Sequence, residues 1–173
     1  MRTLVPDPPP PQLQELLKRR RQTGADRHDE VWEGVYHMIP AAGTVHSFVV
    51  HQLAVLLDAP ARANGLVVSA EFNLGADGDF RVPDLGVHRE RRLGTWIVTA
   101  AIVVEVLSPQ DDTWKKLPFY AEHGVDEVLI VDPPSQTVTW LALQQGKYRP
   151  IDHSEIVDLG VSALAGLIDW PQE

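Results

Sequence analysis

The 173-residue chain is 44% hydrophobic and 23% charged, which suits one soluble domain with a sizeable core and leaves no run long enough to span a membrane. It has no cysteine, which excludes disulfides, thiolate metal sites and cysteine nucleophiles, and no signal-like N-terminus, so a cytoplasmic location is expected. The net charge of −9 is uneven: residues 1–28 carry +3 and the remainder −12, which weighs against tight non-specific binding of nucleic acid.

Residues 1–11, with Pro6 and the run Pro8–Pro11, read as an extended arm. Gln12 to Arg21 predicts a short helix whose trailing cations suit the helix dipole. Together residues 1–27 form an arm and basic helix, and 28–173 a single domain. Val31 to Met38 alternates around Gly34 as a hairpin. Thr44 is a plausible N-cap for a helix with Val45, Phe48, Val49, Gln52, Leu53, Leu56 and Leu57 at helical spacing, stopped at Asn64-Gly65. His46 and His51 ride on it and read first as surface or packing residues.

Beyond Gly65 the pattern turns to strands. Leu66–Leu74 reads as one, a turn follows over 75–79, and Phe80–His88 reads as the next, with Pro83 placing it at an edge or bulge. A polar loop covers 89–99. Ala100–Leu107 is an apolar run interrupted only by Glu105, as in a central buried strand. A helix is expected over Asp112–His123, then a buried strand over Glu127–Val131 and a hairpin from Val138–Leu143 and Lys147–Ile151. A short helix or loop completes 155–173. The expected architecture is three-layered α/β, a mixed sheet flanked by helices.

Glu105 is the most informative residue, because a lone carboxylate among aliphatic side chains costs several kcal/mol unless it is paired or coordinated. Alternation puts Glu105 and Leu107 on one face of the strand and Val104 and Val106 on the other. Asp84, in R-V-P-D-L, is likewise flanked by apolar residues. If the two strands adjoin, both carboxylates converge on one hard cation, for which oxygen donors suit Mg²⁺ or Mn²⁺. Lys116 on the following helix would orient a water or offset charge developing on a phosphate. Each residue also has a structural alternative: Asp84 capping a turn or pairing with Arg81, Glu105 paired with Lys116 alone, Lys116 solvated. Asp112 reads as an N-cap, and the aromatics, Tyr120 included, as packing.

P-D-L at 83–85, V-V-E-V-L-S-P at 103–109, Lys116, Tyr120, Gly124-Val125 and V-L-I-V-D-P at 128–133, with E-V-W-E-G-V-Y at 30–36 and His46, form an ordered set. The set resembles the "putative restriction endonuclease" branch of the PD-(D/E)xK nuclease superfamily over roughly residues 28–145. The resemblance implies a restriction-endonuclease-like fold and a divalent-metal nuclease site acting on DNA. In it Asp84 and Glu105 would be metal ligands, the Val106 carbonyl a further contact, and Glu30 an acid supporting a second metal or positioning water. The superfamily's lysine stands two residues after the acid, where this chain has Leu107. Lys116 matches the place that this branch uses instead, and Lys115 would point about 100° away around the helix. A non-catalytic binding or assembly module on the same fold is the alternative. A homodimer, using the 137–151 hairpin or the Pro-rich arm, would suit cutting of both strands. No G-x-S-x-G, Walker A or G-x-G-x-x-G pattern supports a serine hydrolase or a nucleotide cofactor.

Overall fold

The computed structural model describes residues 3–5, 9–91, 94–109 and 112–171. In chain order the elements are β1 (Thr3–Val5), α1 (Pro11–Thr23), β2 (Glu30–Trp32), β3 (Val35–Met38), α2 (Thr44–Ala63), β4 (Val67–Ser69), β5 (Asn73–Ala76), β6 (Asp79–Arg81) and β7 (Leu85–His88). They continue with β8 (Trp96–Ile97), β9 (Ile102–Val106), α3 (Thr113–Glu122), β10 (Glu127–Asp132), β11 (Thr137–Gln144), β12 (Lys147–Ile151), β13 (His153–Ser154), β14 (Leu159–Gly160) and α4 (Val161–Leu167).

The central sheet runs β12-β11-β10-β9-β7-β4. β9 and β10 are parallel, joined by the crossover helix α3, and the other neighbours are antiparallel. Every residue of β9 is buried, as its continuous apolar run requires. Its alternation divides the core. Ile102, Val104 and Val106 pack with Val49, Leu53 and Leu57 of α2 and Leu164 of α4. Val103 faces the other way, towards Phe119 and Tyr120 of α3. Helices therefore cover both faces, giving the expected three layers. Each fully buried leucine contributes about 1.5–3 kcal/mol to that core.

α2 forms because Val49, Leu53, Leu57 and Ala61 recur every fourth residue and bury one face. It ends at Gly65, whose φ of 71° lies in the left-handed region that side chains avoid. Its N-cap is Gly43, with Thr44 already inside the helix.

A second six-stranded sheet, β1-β3-β2-β6-β5-β8, departs from the single mixed sheet that the sequence pattern predicts. The expected strand Leu66–Leu74 is two strands, β4 and β5, in different sheets, and Phe80–His88 likewise divides into β6 and β7. The second break falls at Val82-Pro83-Asp84, where proline removes a ladder donor and the chain passes from one sheet to the other. Residues 89–99 include the short strand β8, and the arm includes β1 paired to β3, while residues 6–8 lie outside the described residues. Among the described residues no helix is long and apolar enough to cross a membrane.

Candidate active site

The crossing between sheets sets Asp84 at the mouth of a cleft of about 280 Å³ lined by Glu30, His46, Val82, Asp84, Glu105, Val106, Ser108 and Lys116. Four elements converge there: β2 brings Glu30, β9 Glu105, α3 Lys116, and the first turn of α2 His46. Lys116, placed by alternation of the α3 face that also buries Phe119 and Tyr120, reaches two carboxylates at once. Its Nζ lies 2.9 Å from Glu30 Oε1 and 2.9 Å from Glu105 Oε1, with Glu105 Oε2 at 3.2 Å. All three side chains are about 95% or more buried.

Each carboxylate is oriented by further donors. The Val82 amide and Trp32 Nε1 donate to Glu30 at 2.9 and 2.7 Å. The Tyr120 hydroxyl donates to Glu105 Oε1. Asp84 Oδ2 accepts from the Val106 amide at 2.7 Å and stands 3.2 Å from His46 Nε2. The Asp84 bond exists because β7 begins only at Leu85, opposite Val104, so the strand that would have paired with Val106 is replaced by a side chain.

The electrostatics follow from crowding. Burial pushes the Glu105 carboxyl up to about 7, Lys116 opposes, and nearby Asp84 and Glu30 raise it further. Burial alone would lower the Lys116 pKa, but Glu105 and Glu30 outweigh it and hold the ammonium charged above the ordinary lysine range. Burial and the neighbouring carboxylates raise Tyr120, so its hydroxyl stays a donor. One ammonium thus bonds two carboxyl groups while a third, Asp84, stands near enough to act on Glu105, so acidic groups outnumber the lysine at the cleft.

That excess is the test of fit for a divalent ion. Among the described residues no three His, Asp or Glu side chains stand together as a metal cage. A site would instead use Asp84 and Glu105 with the backbone at Val106, all of which line the cleft. The donors are hard oxygens, and a Mg²⁺ or Mn²⁺ ion would supply the positive charge that Lys116 alone does not. In chemical kind these donors suit such an ion.

All four side chains singled out from sequence, Asp84, Glu105, Lys116 and Glu30, meet in this one cleft. Arg81 does not pair with Asp84. It is buried against the Trp32 and Phe119 rings, 4.6 and 3.9 Å from their centroids, and donates to Asp79 and the Val31 carbonyl. Asp112 stands at the N-cap position of α3, as expected, though its side chain pairs with Lys115 at 2.8 Å instead of capping the helix amides. His46 and Tyr120 contribute more than packing. The helical register that brings Tyr120 one turn after Lys116 is a physical signal for it, whereas His46 is marked only by its place in the set of residues that carries the family resemblance.

A family model described as "Putative restriction endonuclease" (Uma2) matches residues 11–167. Among solved structures, the chain is similar to a crystal structure described as "a putative nuclease belonging to DUF820" from Anabaena variabilis ATCC 29413. The TM-score is 0.65 and the identity 20%, over 80% of this chain and 90% of that one, a likeness of fold. A cryo-EM structure of a DrdV–DNA complex aligns at a TM-score of 0.39 and 21% identity over 66% of this chain and 10% of that one, too low to carry weight. A search of curated proteins found no match. With the family match spanning nearly the whole chain, and a mixed sheet flanked by helices as that fold requires, the protein belongs to the Uma2 family of restriction-endonuclease-like proteins.

Proposed function

We propose that the protein is a Mg²⁺- or Mn²⁺-dependent endonuclease that hydrolyses phosphodiester bonds in DNA. The observation that carries this reading is Lys116 Nζ, 2.9 Å from both Glu30 and Glu105 in the cleft that Asp84 also lines. Family membership supports the reaction class.

In this reading Asp84 and Glu105 hold the ion with the Val106 carbonyl as a third donor. The bound ion would polarise the phosphate and favour ionisation of the attacking water. Lys116 does two things: it orients that water, and it offsets charge gathering on the phosphoryl oxygens. Glu30, fixed by Val82 and Trp32, keeps the ammonium aimed. His46 holds one Asp84 oxygen, and Tyr120 one Glu105 oxygen, so neither carboxylate swings freely. The water oxygen bonds to phosphorus as one P–O ester bond breaks; the water gives up a proton and the departing oxygen gains one.

The test is plasmid and oligonucleotide cleavage in Mn²⁺. Wild type cleaves, and the Asp84→Ala, Glu105→Ala double variant does not. Equal cleavage by that variant would sink the proposal.

One observation favours a second reading, a non-catalytic module. Both Glu105 oxygens already accept hydrogen bonds from Lys116, so the carboxylate is satisfied without an ion. Calorimetry separates the two. A Mn²⁺ titration that disappears in Glu105→Gln favours the nuclease, whereas an absent titration in wild type favours the module.

A further inference from the structure

The outer face of α2 is out of keeping with the rest of this acidic surface. No Asp, Glu, Lys or Arg occurs from Thr44 to Leu57, although charged residues make up 23% of the chain. Phe48 and Val55 are 67% and 62% exposed, and Val45 is 45% exposed. Thr44, Val45, Phe48, His51, Val55 and Ala59 all face solvent and fall within about 60° of Phe48 around the helix. A helix apolar on both faces belongs in a buried setting. Its core face is already buried through Val49, Leu53 and Leu57, so a second surface is needed for the other.

The stripe reads almost alike from either end. About a twofold axis beside His51, an antiparallel copy would set Phe48 against Val55 and Thr44 against Ala59, large opposite medium and small opposite small. Only the C-terminal end of the stripe is marked by charge, where Asp58 and Arg62 pair with each other at 2.9 Å. Leu167, 59% exposed, lies two residues from Asp169, whose backbone exchanges hydrogen bonds of 2.7 and 3.0 Å with Gln52 on α2. A chain of net charge −9 repels its own copies wherever charged surfaces meet, and this stripe is free of that cost. We infer that α2 is a self-association surface at which a second copy of this chain docks antiparallel about a twofold axis next to His51. A closed, self-complementary contact of this kind needs only one patch.

This pairing is independent of whether the cleft is catalytic. It differs from the two surfaces expected from sequence, the 137–151 hairpin and the N-terminal arm. The helix that would form the contact also carries His46, which touches Asp84 at 3.2 Å.

Light scattering across a concentration series tests the pairing. Wild type approaches twice the chain mass. Phe48→Glu and Val55→Arg each return the chain mass, and combining both on one chain restores the doubled mass, since each new charge then faces its opposite. Val98→Glu, a change at a 57% exposed apolar residue elsewhere, leaves the dimer intact. The absence of cysteine gives a clean second probe: His51→Cys cross-links to a covalent dimer under mild oxidation, and Val98→Cys does not. Circular dichroism of each variant confirms folding. A wild type that stays at chain mass, a dimer indifferent to Phe48→Glu, or a double variant that remains monomeric would each overturn the inference.

Discussion

Glu105 and Glu127 sit on neighbouring parallel strands, and both are buried carboxyl groups whose pKa is raised, first of all by burial. Nearby carboxylates add to the rise in both, Asp126 and Glu155 beside Glu127, but the groups that bond to them and their access to a ligand differ. Glu127 Oε2 accepts from Trp140 Nε1 at 2.8 Å and from Ser154 Oγ at 2.6 Å, both neutral donors that tie β10 to β11 and to β13. Glu105 meets an ammonium, a tyrosine and two other carboxyl groups, and it lines a cleft. A buried acid by itself marks only a place where hydrogen bonds had to be supplied. A functional site is marked by like charges held together where a ligand can reach them.

The contrast can be broken most decisively at the cleft. Asp84→Asn with Glu105→Gln should lower Mn²⁺-dependent cleavage on the order of 10³-fold or more, measured as an initial rate on plasmid. Glu127→Gln should leave that rate nearly untouched. Lys116→Met should come next. It leaves Glu30 and Glu105 facing each other without compensation, at a cost of about 3–5 kcal/mol in denaturant unfolding near neutral pH. The deficit should shrink in acid as the carboxyl groups take up protons, and a deficit independent of pH would contradict the role given to charge.

Metal affinity should follow the Glu105 titration. A folded-state pKa raised to about 7 means that this carboxyl favours the folded state most below its unfolded pKa and loses that contribution as the pH rises through about 7. An ion that binds the ionised form works in the opposite sense. Thermal stabilisation by Mn²⁺ should therefore grow between about pH 5 and 8, with affinity weakening by up to about tenfold per pH unit below 7. Glu127→Gln should leave this slope unchanged. Tyr120→Phe should have the smallest effect, about 1 kcal/mol of stability and an upward shift in the pH midpoint, because its hydroxyl favours ionised Glu105.

The site was legible in sequence further than the architecture around it. Glu105 stood out because its strand is otherwise wholly aliphatic, and Asp84 because Pro83 sets it beside an apolar run. Glu127 carries a similar local signal at the head of E-V-L-I-V, but its partners Trp140 and Ser154 are distant in the chain, so the sequence does not tell the two acids apart. The second sheet was hidden for a different reason. Strands of three or four residues leave too little alternation to reveal a break, and nothing between Leu66 and Leu74 states that its two halves join different sheets. His46 belongs to the set that carries the resemblance, but its role beside Asp84 needs α2 laid against the end of β7.

The amide of Val106 closes the sheet and the cleft with the same bond, since its acceptor is Asp84 Oδ2 at 2.7 Å rather than a strand carbonyl. Its proton is thus a resident reporter. In an ¹⁵N-labelled sample its chemical shift and solvent exchange should respond to whatever Asp84 binds, while the interior of β9, at Val103 and Val104, stays silent.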